Sequence, residues 1–211
     1  MMSTIDVNPV LVVDYKELMK TQIIKSDKKK TDEALAVADE STNLLEKCVI
    51  WREFTVPSGA VVVEQYIKKN LKIGKKENEV SGDGRKGDTN YEIKVSIHSK
   101  DGCVNIVQIR PHHDIDYYIV VTLNLFENGG TAHCLKIPAK DMYGLLPKYS
   151  GYAHGTIGKH GKITAENIEK NKKSQCEYAL RPKPNSPKGT NGYKMWAEMS
   201  KYQVNYKPEN F

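Results

Sequence analysis

Strict alternation of apolar and polar residues marks one stretch of this chain above the others. From Tyr91 to His98, Tyr91, Ile93, Val95 and Ile97 alternate with Glu92, Lys94, Ser96 and His98, the period-two signature of a half-buried strand. The apolar set is expected to face a core, which leaves Glu92 and Lys94 together on the other face, about 7 Å apart along the strand. Upstream, Ser81-Gly82-Asp83-Gly84 reads as the end of a short polar strand, and the glycines at 82, 84 and 87 permit a sharp reversal. Ahead of it, Val56-Pro57-Ser58-Gly59 breaks the chain. Ala60 to Leu71 then fits a helix with apolar positions 60, 63, 67 and 71 on one face and Glu64 beside that stripe. Downstream, Lys100-Asp101-Gly102 is a turn, and Val104 to Arg110 is a short apolar segment compatible with a strand or a helical turn. The continuous apolar run within Asp116 to Phe126 suits a central strand covered on both faces. Glu127-Asn128-Gly129-Gly130 suits a hairpin turn, with Ala132 to Ile137 as the returning strand. Pro138 fits a helix first turn, and Ala139 to Leu146 the helix itself. Near the N-terminus, Asp14 to Ile24 and the segment opened by Thr31, with Asp32 and Glu33 in its first turn, read as helices. This order predicts an α/β (α+β) sandwich, a mixed central sheet flanked by helices.

Composition narrows the class. The chain has 211 residues, 39% hydrophobic and 27% charged, enough for one domain with its own core and no disulfide or metal staple. The expected division is an N-terminal helical part (1–56), a core (57–148) and a C-terminal part (149–211). No apolar run approaches the roughly 18 residues of a membrane span, no signal-peptide pattern opens the chain, and the cytoplasm is the expected compartment. Cys48, Cys103, Cys134 and Cys176 are scattered without a Cys-x-x-Cys pair, so free buried thiols are expected.

Charge changes the picture of the C-terminal part. Residues 1–149 hold 21 Lys and Arg against 21 Asp and Glu, whereas residues 150–211 hold 11 against 5, which accounts for the whole net charge of +6. A neutral body with a basic end suits a partner with a phosphate backbone. The part reads as loops: a glycine-rich stretch carrying Lys159, His160 and Lys162, and a proline-stiffened arm beginning at Arg181. Backbone N–H groups freed by glycine approach phosphates, and Lys, Arg and His offer donors to base edges.

Candidate chemistry centres on the alternating strand. A Glu-x-Lys on an exposed strand is by default a solvated salt pair. Here Asp83 precedes it by nine residues after Ser-Gly, the strand is rich in β-branched residues, and the helix upstream carries Glu64. Strand, Asp, reversal, strand with Glu92-Ile93-Lys94 resembles the catalytic hairpin of the PD-(D/E)xK nuclease superfamily, to which many type II restriction endonucleases belong. The resemblance implies double-stranded DNA as substrate and phosphodiester hydrolysis as reaction. It implies Mg²⁺ held by Asp83, Glu92 and the backbone carbonyl of Ile93, with Glu64 as accessory ligand. Lys94 would orient the attacking water and donate to the phosphate. Duplex cutting by family members further implies a homodimer, its interface on the N-terminal helices.

The sequence leaves the first acidic ligand open. A tight turn over Gly84 to Gly87 would pair Asp83 with Asp88 and set Glu79 opposite Glu92. Asp83 reaches Glu92 only if the reversal is wider or a bulge shifts the register. Asp88 shares the face of Glu92 but lies about 13 Å along the strand. Asp83 is therefore the first choice, with Glu79 and Asp88 as alternatives. Base readout is expected from the C-terminal loops or from Gln108, Arg110 and His112. A repair or junction-resolving nuclease and a non-catalytic nucleic-acid-binding protein are the competing functions.

Overall fold

The computed structural model describes residues 64, 67–69, 71–99, 101–124, 131–153, 163–206 and 208–211. The segments expected to form the N-terminal helices, the 127–130 turn and the loop with Lys159, His160 and Lys162 lie outside these residues. Residues 64, 67–69 and 71 are helical, as the apolar spacing predicts, with Ile67 and Leu71 fully buried. The strands are β1 (Gly84–Lys86), β2 (Thr89–Ile97), β3 (Ile106–Ile109), β4 (Tyr117–Asn124) and β5 (Thr131–Pro138). Helix α1 (Ala139–Lys148) follows, then β6 (Tyr152–Ala153), α2 (Ala165–Asn171), β7 (Tyr178–Leu180) and α3 (Asn191–Met199).

The expected mixed sheet is present: its strand order is β1-β2-β4-β5, with β2 parallel to β4 and the other pairings antiparallel. β4 occupies the interior position that its apolar run predicts, and Pro138 caps α1 from the end of β5. A second sheet was not foreseen. It has the order β3-β7-β6 and draws two of its three strands from the C-terminal part. The described residues of the C-terminal part do more than form loops: they put Ile168, Tyr178, Leu180, Met195, Trp196 and Met199 into one core cluster with Tyr118, Val120, Leu135 and Ile137 of the first sheet.

That second layer changes which faces of β2 are covered. In the parallel register, Glu92 lies beside Tyr118, Lys94 beside Val120 and Ser96 beside Thr122. The Glu92 side is thus the side against which the C-terminal elements pack. Glu92, Ser96 and His98 are buried along with Tyr91 and Ile93. The half-exposed strand read from the alternation is covered on both sides, because period two separates polar from apolar positions without saying what lies over each. Ser96 uses its burial: its Oγ accepts from the backbone N–H of Asn105, 2.9 Å away, and ties β2 to the approach of β3.

His98 ends the polar face under the second layer, 3% exposed, edge-on to Trp196 with ring centroids 6.3 Å apart. Neither ring nitrogen has a hydrogen-bond partner among the described residues. Burial first, and the nearby His133 second, hold its pKa down at about 4. The imidazole is therefore neutral in the fold, and acid favours the unfolded chain, where it protonates near pH 6.5. Stability should begin to fall below that value and continue falling to about pH 4; by linkage the loss from this group at pH 5 is roughly 2 kcal/mol. Urea unfolding at pH 7 and pH 5 checks this: His98→Leu should shrink the pH difference by roughly 2 kcal/mol, and an unchanged pH difference would refute it.

Candidate active site

The hairpin that carries the site turns later than its glycines suggest. Gly84 pairs with Tyr91, Arg85 with Asn90 and Lys86 with Thr89, so the loop is the two residues Gly87-Asp88. Gly87 has φ +59°, and glycine at the first loop position of a two-residue hairpin fits a type II′ turn. Asp83 lies just before the paired stretch, beside Tyr91 to Ile93 of β2. Two bonds fix it there. The Asp83 N–H donates to Tyr91 O at 2.8 Å, and Asp83 Oδ2 accepts from the Ile93 N–H at 2.7 Å. The Asp83 carboxyl is near enough to that of Glu92 to feel its charge. The turn lies later than a tight reversal over Gly84 to Gly87, and just before β1 two residues, Asp83 and Gly84, oppose Tyr91, the arrangement of a β-bulge.

The other two acids are placed elsewhere. Glu79 is exposed, and Asp88 sits at the loop tip, 3.2 Å from the Arg85 guanidinium and fully open to solvent. Gly82 makes the approach of Asp83 possible. It has φ +74°, and a Cβ there would come within 2.5 Å of Tyr91 O and 2.9 Å of Tyr91 C.

Around this pair the charges are dense. Lys94 Nζ lies 2.6 Å from Glu92 Oε1, and both side chains are largely buried. Glu64 and Lys68, one helical turn apart, reach the hairpin from the helix: the Lys68 ammonium donates to the Asp83 carbonyl. Burial, and then the charge of Asp83, push the Glu64 carboxyl up to about 7. Burial, and then Glu92, raise the Asp83 carboxyl as well. Three carboxyl groups thus crowd a partly dry space, in which the charged forms of Glu64 and Asp83 are disfavoured. The Tyr91 carbonyl and the Ile93 N–H both face Asp83, and alternate residues of a strand direct N–H and C=O to the same edge. The Ile93 carbonyl therefore leaves the strand on the side of Asp83.

From the second sheet, Arg110 approaches. Its Nε donates to Glu177 at 2.7 Å, and Nη1 stops 3.9 Å from Glu92 Oε1. His112 and His113 follow, rings 4.7 Å apart; burial, then the charges of His112 and Arg110, hold His113 down at about 4. Gln108 is exposed with φ +55°, at the register irregularity of β3. Arg181 is away from this cluster, its guanidinium 4.6 Å over the Tyr152 ring. The arm it begins is docked: Val104 N–H donates to Pro182 O and Lys183 N–H to Gly192 O.

The structure therefore gathers Glu64, Asp83, Glu92, Ile93 and Lys94 and adds Arg110, which the sequence assigned to base readout. It also adds Lys68, Glu177 and His113, which sequence reasoning missed. Lys68 was accessible from its spacing to Glu64; Glu177, 67 residues from Arg110 in the chain, carried no local signal. Among the described residues, no group of three or more His, Cys, Asp or Glu side chains is gathered closely enough to hold a metal ion by itself, and no helix is long and apolar enough to cross a membrane. Comparison with protein-family models, with curated proteins and with solved structures finds no match to this chain.

Proposed function

We propose that this protein is a Mg²⁺-dependent endonuclease that hydrolyses phosphodiester bonds of double-stranded DNA in the cytoplasm, as a site-specific restriction-type enzyme working as a homodimer. The observation that carries the reading is the seating of Asp83 against β2, its Oδ2 on the Ile93 N–H and its carboxyl within the field of Glu92, with Lys94 Nζ 2.6 Å from Glu92 Oε1. It was the arrangement on which the resemblance depended and which spacing alone left open.

The donor set suits Mg²⁺. This ion takes one or two carboxylates, keeps several waters and completes its shell with substrate phosphate, so it does not require an all-protein cage. Asp83, Glu92 and the Ile93 carbonyl would hold it, with Glu64 beside them, and its positive charge would relieve the crowding that raises the Asp83 and Glu64 carboxyls. Bound there, Mg²⁺ would supply positive charge for the phosphate and acidify a water. The chain's own residues do the rest. Lys94, oriented by Glu92, positions the attacking water and donates to a non-bridging phosphate oxygen. Lys68 holds the Asp83 backbone. The second layer over β2 restricts water, which strengthens each of these charges.

Incubation with supercoiled plasmid and Mg²⁺ tests the reading. Discrete fragments are expected. Cleavage confined to branched DNA would point to a junction-resolving nuclease, and duplex binding with no cleavage of either substrate would point to a non-catalytic binding protein.

A further inference from the structure

We infer that Arg110, held by Glu177 and the Tyr118 and Tyr143 hydroxyls, is a seat for a phosphate oxygen of the substrate backbone, facing the Asp83–Glu92 pair from the second sheet. The inference rests on the endonuclease reading for the identity of the ligand and on the geometry of Arg110 for the seat.

Arg110 directly follows β3, beyond the strained Gln108, where the β3–β7 register shifts between Ile106 and Ile109. Every part of it except the tip is restrained. Its N–H donates to the Tyr118 hydroxyl at 3.3 Å, and its carbonyl accepts from the Tyr143 hydroxyl at 3.4 Å. Both tyrosines belong to the first sheet and α1, and their rings meet edge to face, 6.0 Å between centroids. Nε is taken by Glu177 Oε1 at 2.7 Å. Among the described residues, no hydrogen bond takes the donors on the two terminal nitrogens. Nη1 lies 3.9 Å from Glu92 Oε1, beyond hydrogen-bond reach, so no bond to that carboxylate consumes it.

A structural ion pair would be expected to use the fork on one carboxylate. Here Glu177 takes the side of the fork and leaves its end aimed at the carboxylate cluster. A planar, restrained guanidinium with free terminal donors matches a phosphate oxyanion in both charge and shape, and its restraint lowers the entropy lost on binding. Lys94 approaches the same cluster from β2. A phosphate between them would meet one cation from each sheet, so the seat spans both layers. Glu177 then acts through Arg110, as a positioning residue.

The test is binding, separate from cleavage. Fluorescence anisotropy of a labelled 30-base-pair duplex in Ca²⁺ is measured across a range of salt concentrations for the full chain and its variants. Arg110→Ala should weaken binding about tenfold and lower the salt-dependence slope by about one. Glu177→Gln should weaken binding severalfold without changing the slope, and the double variant should bind as Arg110→Ala does, because the two act as a unit. A merely structural pair would leave the slope untouched. If Arg110→Ala fails to fold by circular dichroism, Arg110→Lys keeps the charge and loses the fork. It should retain the slope and lose affinity severalfold, and unchanged affinity would overturn the seat. Affinity within twofold and an unaltered slope for Arg110→Ala overturn it too, even if the parent cuts plasmid. A parent that binds duplex with the expected Arg110 dependence yet cuts nothing in Mg²⁺ keeps the seat and refutes the endonuclease reading.

Discussion

Asp83→Asn should reduce Mg²⁺-dependent plasmid cleavage by about a thousandfold or more while duplex binding in Ca²⁺ stays within a few fold. That corresponds to roughly 4 kcal/mol of transition-state stabilisation at 1.36 kcal/mol per tenfold. Asparagine is the informative choice because its side-chain oxygen can still accept the Ile93 N–H, now made at 2.7 Å. The variant therefore removes charge and keeps the hairpin. Its stability should move the other way. Burial and the nearby Glu92 disfavour the ionised Asp83 carboxyl, so a neutral amide relieves a penalty of the metal-free fold at neutral pH. Its melting temperature without metal should equal or exceed the parent's. Lys94→Ala should match the loss of cleavage. It should not match the gain in stability, since it leaves the buried Glu92 carboxylate without the partner now 2.6 Å away. Cleavage by Asp83→Asn at the parent's rate would exclude the hairpin as the source of activity.

Gly82→Ala should be the most damaging small change in the region. The methyl would have to fit where Tyr91 O lies 2.5 Å and Tyr91 C 2.9 Å from its position, at φ +74°. Both atoms are backbone, so no side chain can swing aside. The left-handed conformation alone costs an alanine about 1 kcal/mol, and the forced separation of the two strands adds about 1–3 kcal/mol. The separation also moves Asp83 from Glu92. A displacement of about 1 Å at a reacting centre can cost a hundredfold in rate, so cleavage should fall by that much even where the variant remains folded. Gly87→Ala is the control. Its φ of +59° is as unfavourable, but nothing lies within 4 Å of the added methyl, so only the conformational cost of about 1 kcal/mol is expected. Equal unfolding midpoints in urea for the two variants would refute the steric argument.

Much of this architecture is legible in the sequence for reasons of period. The alternation of Tyr91 to His98 and the apolar run within Tyr117–Asn124 each match a strand, and Pro138 marks a helix start. What was hidden falls into two kinds. The first is register: three glycines at 82, 84 and 87 could each accommodate the reversal, and only pairing energetics along Gly84–Lys86 place it at Gly87-Asp88. The second is long-range cover. β6 and β7 have two and three residues, too short for any periodic signal, and α3 opens with Asn191-Gly192 in a stretch that reads as loop. Missing them left the Glu92 face open to solvent in the sequence reading and left Arg110 without its Glu177. The basic charge of the C-terminal part was read correctly as composition and incompletely as structure. Lys170 and Lys194 are exposed on helices whose apolar sides complete the core.

Lys86, next to the hairpin loop, donates to the carbonyls of Leu71 and Pro208, and Lys136 donates to the Asn210 carbonyl at 3.0 Å with the Phe211 ring nearby. Pro208 is 122 residues from Lys86 in the chain. The hairpin is synthesised before the distant residues that fasten it. While the chain is still being extended, β2 lacks its second-layer cover and Arg110 lacks Glu177. Closing such distant contacts is slow compared with local hairpin formation. A nascent or truncated chain therefore holds the acids of the site without its completed surroundings. For an enzyme whose proposed substrate includes the genome of the cell that makes it, activity that waits for residues so distant in the chain to dock is a built-in delay.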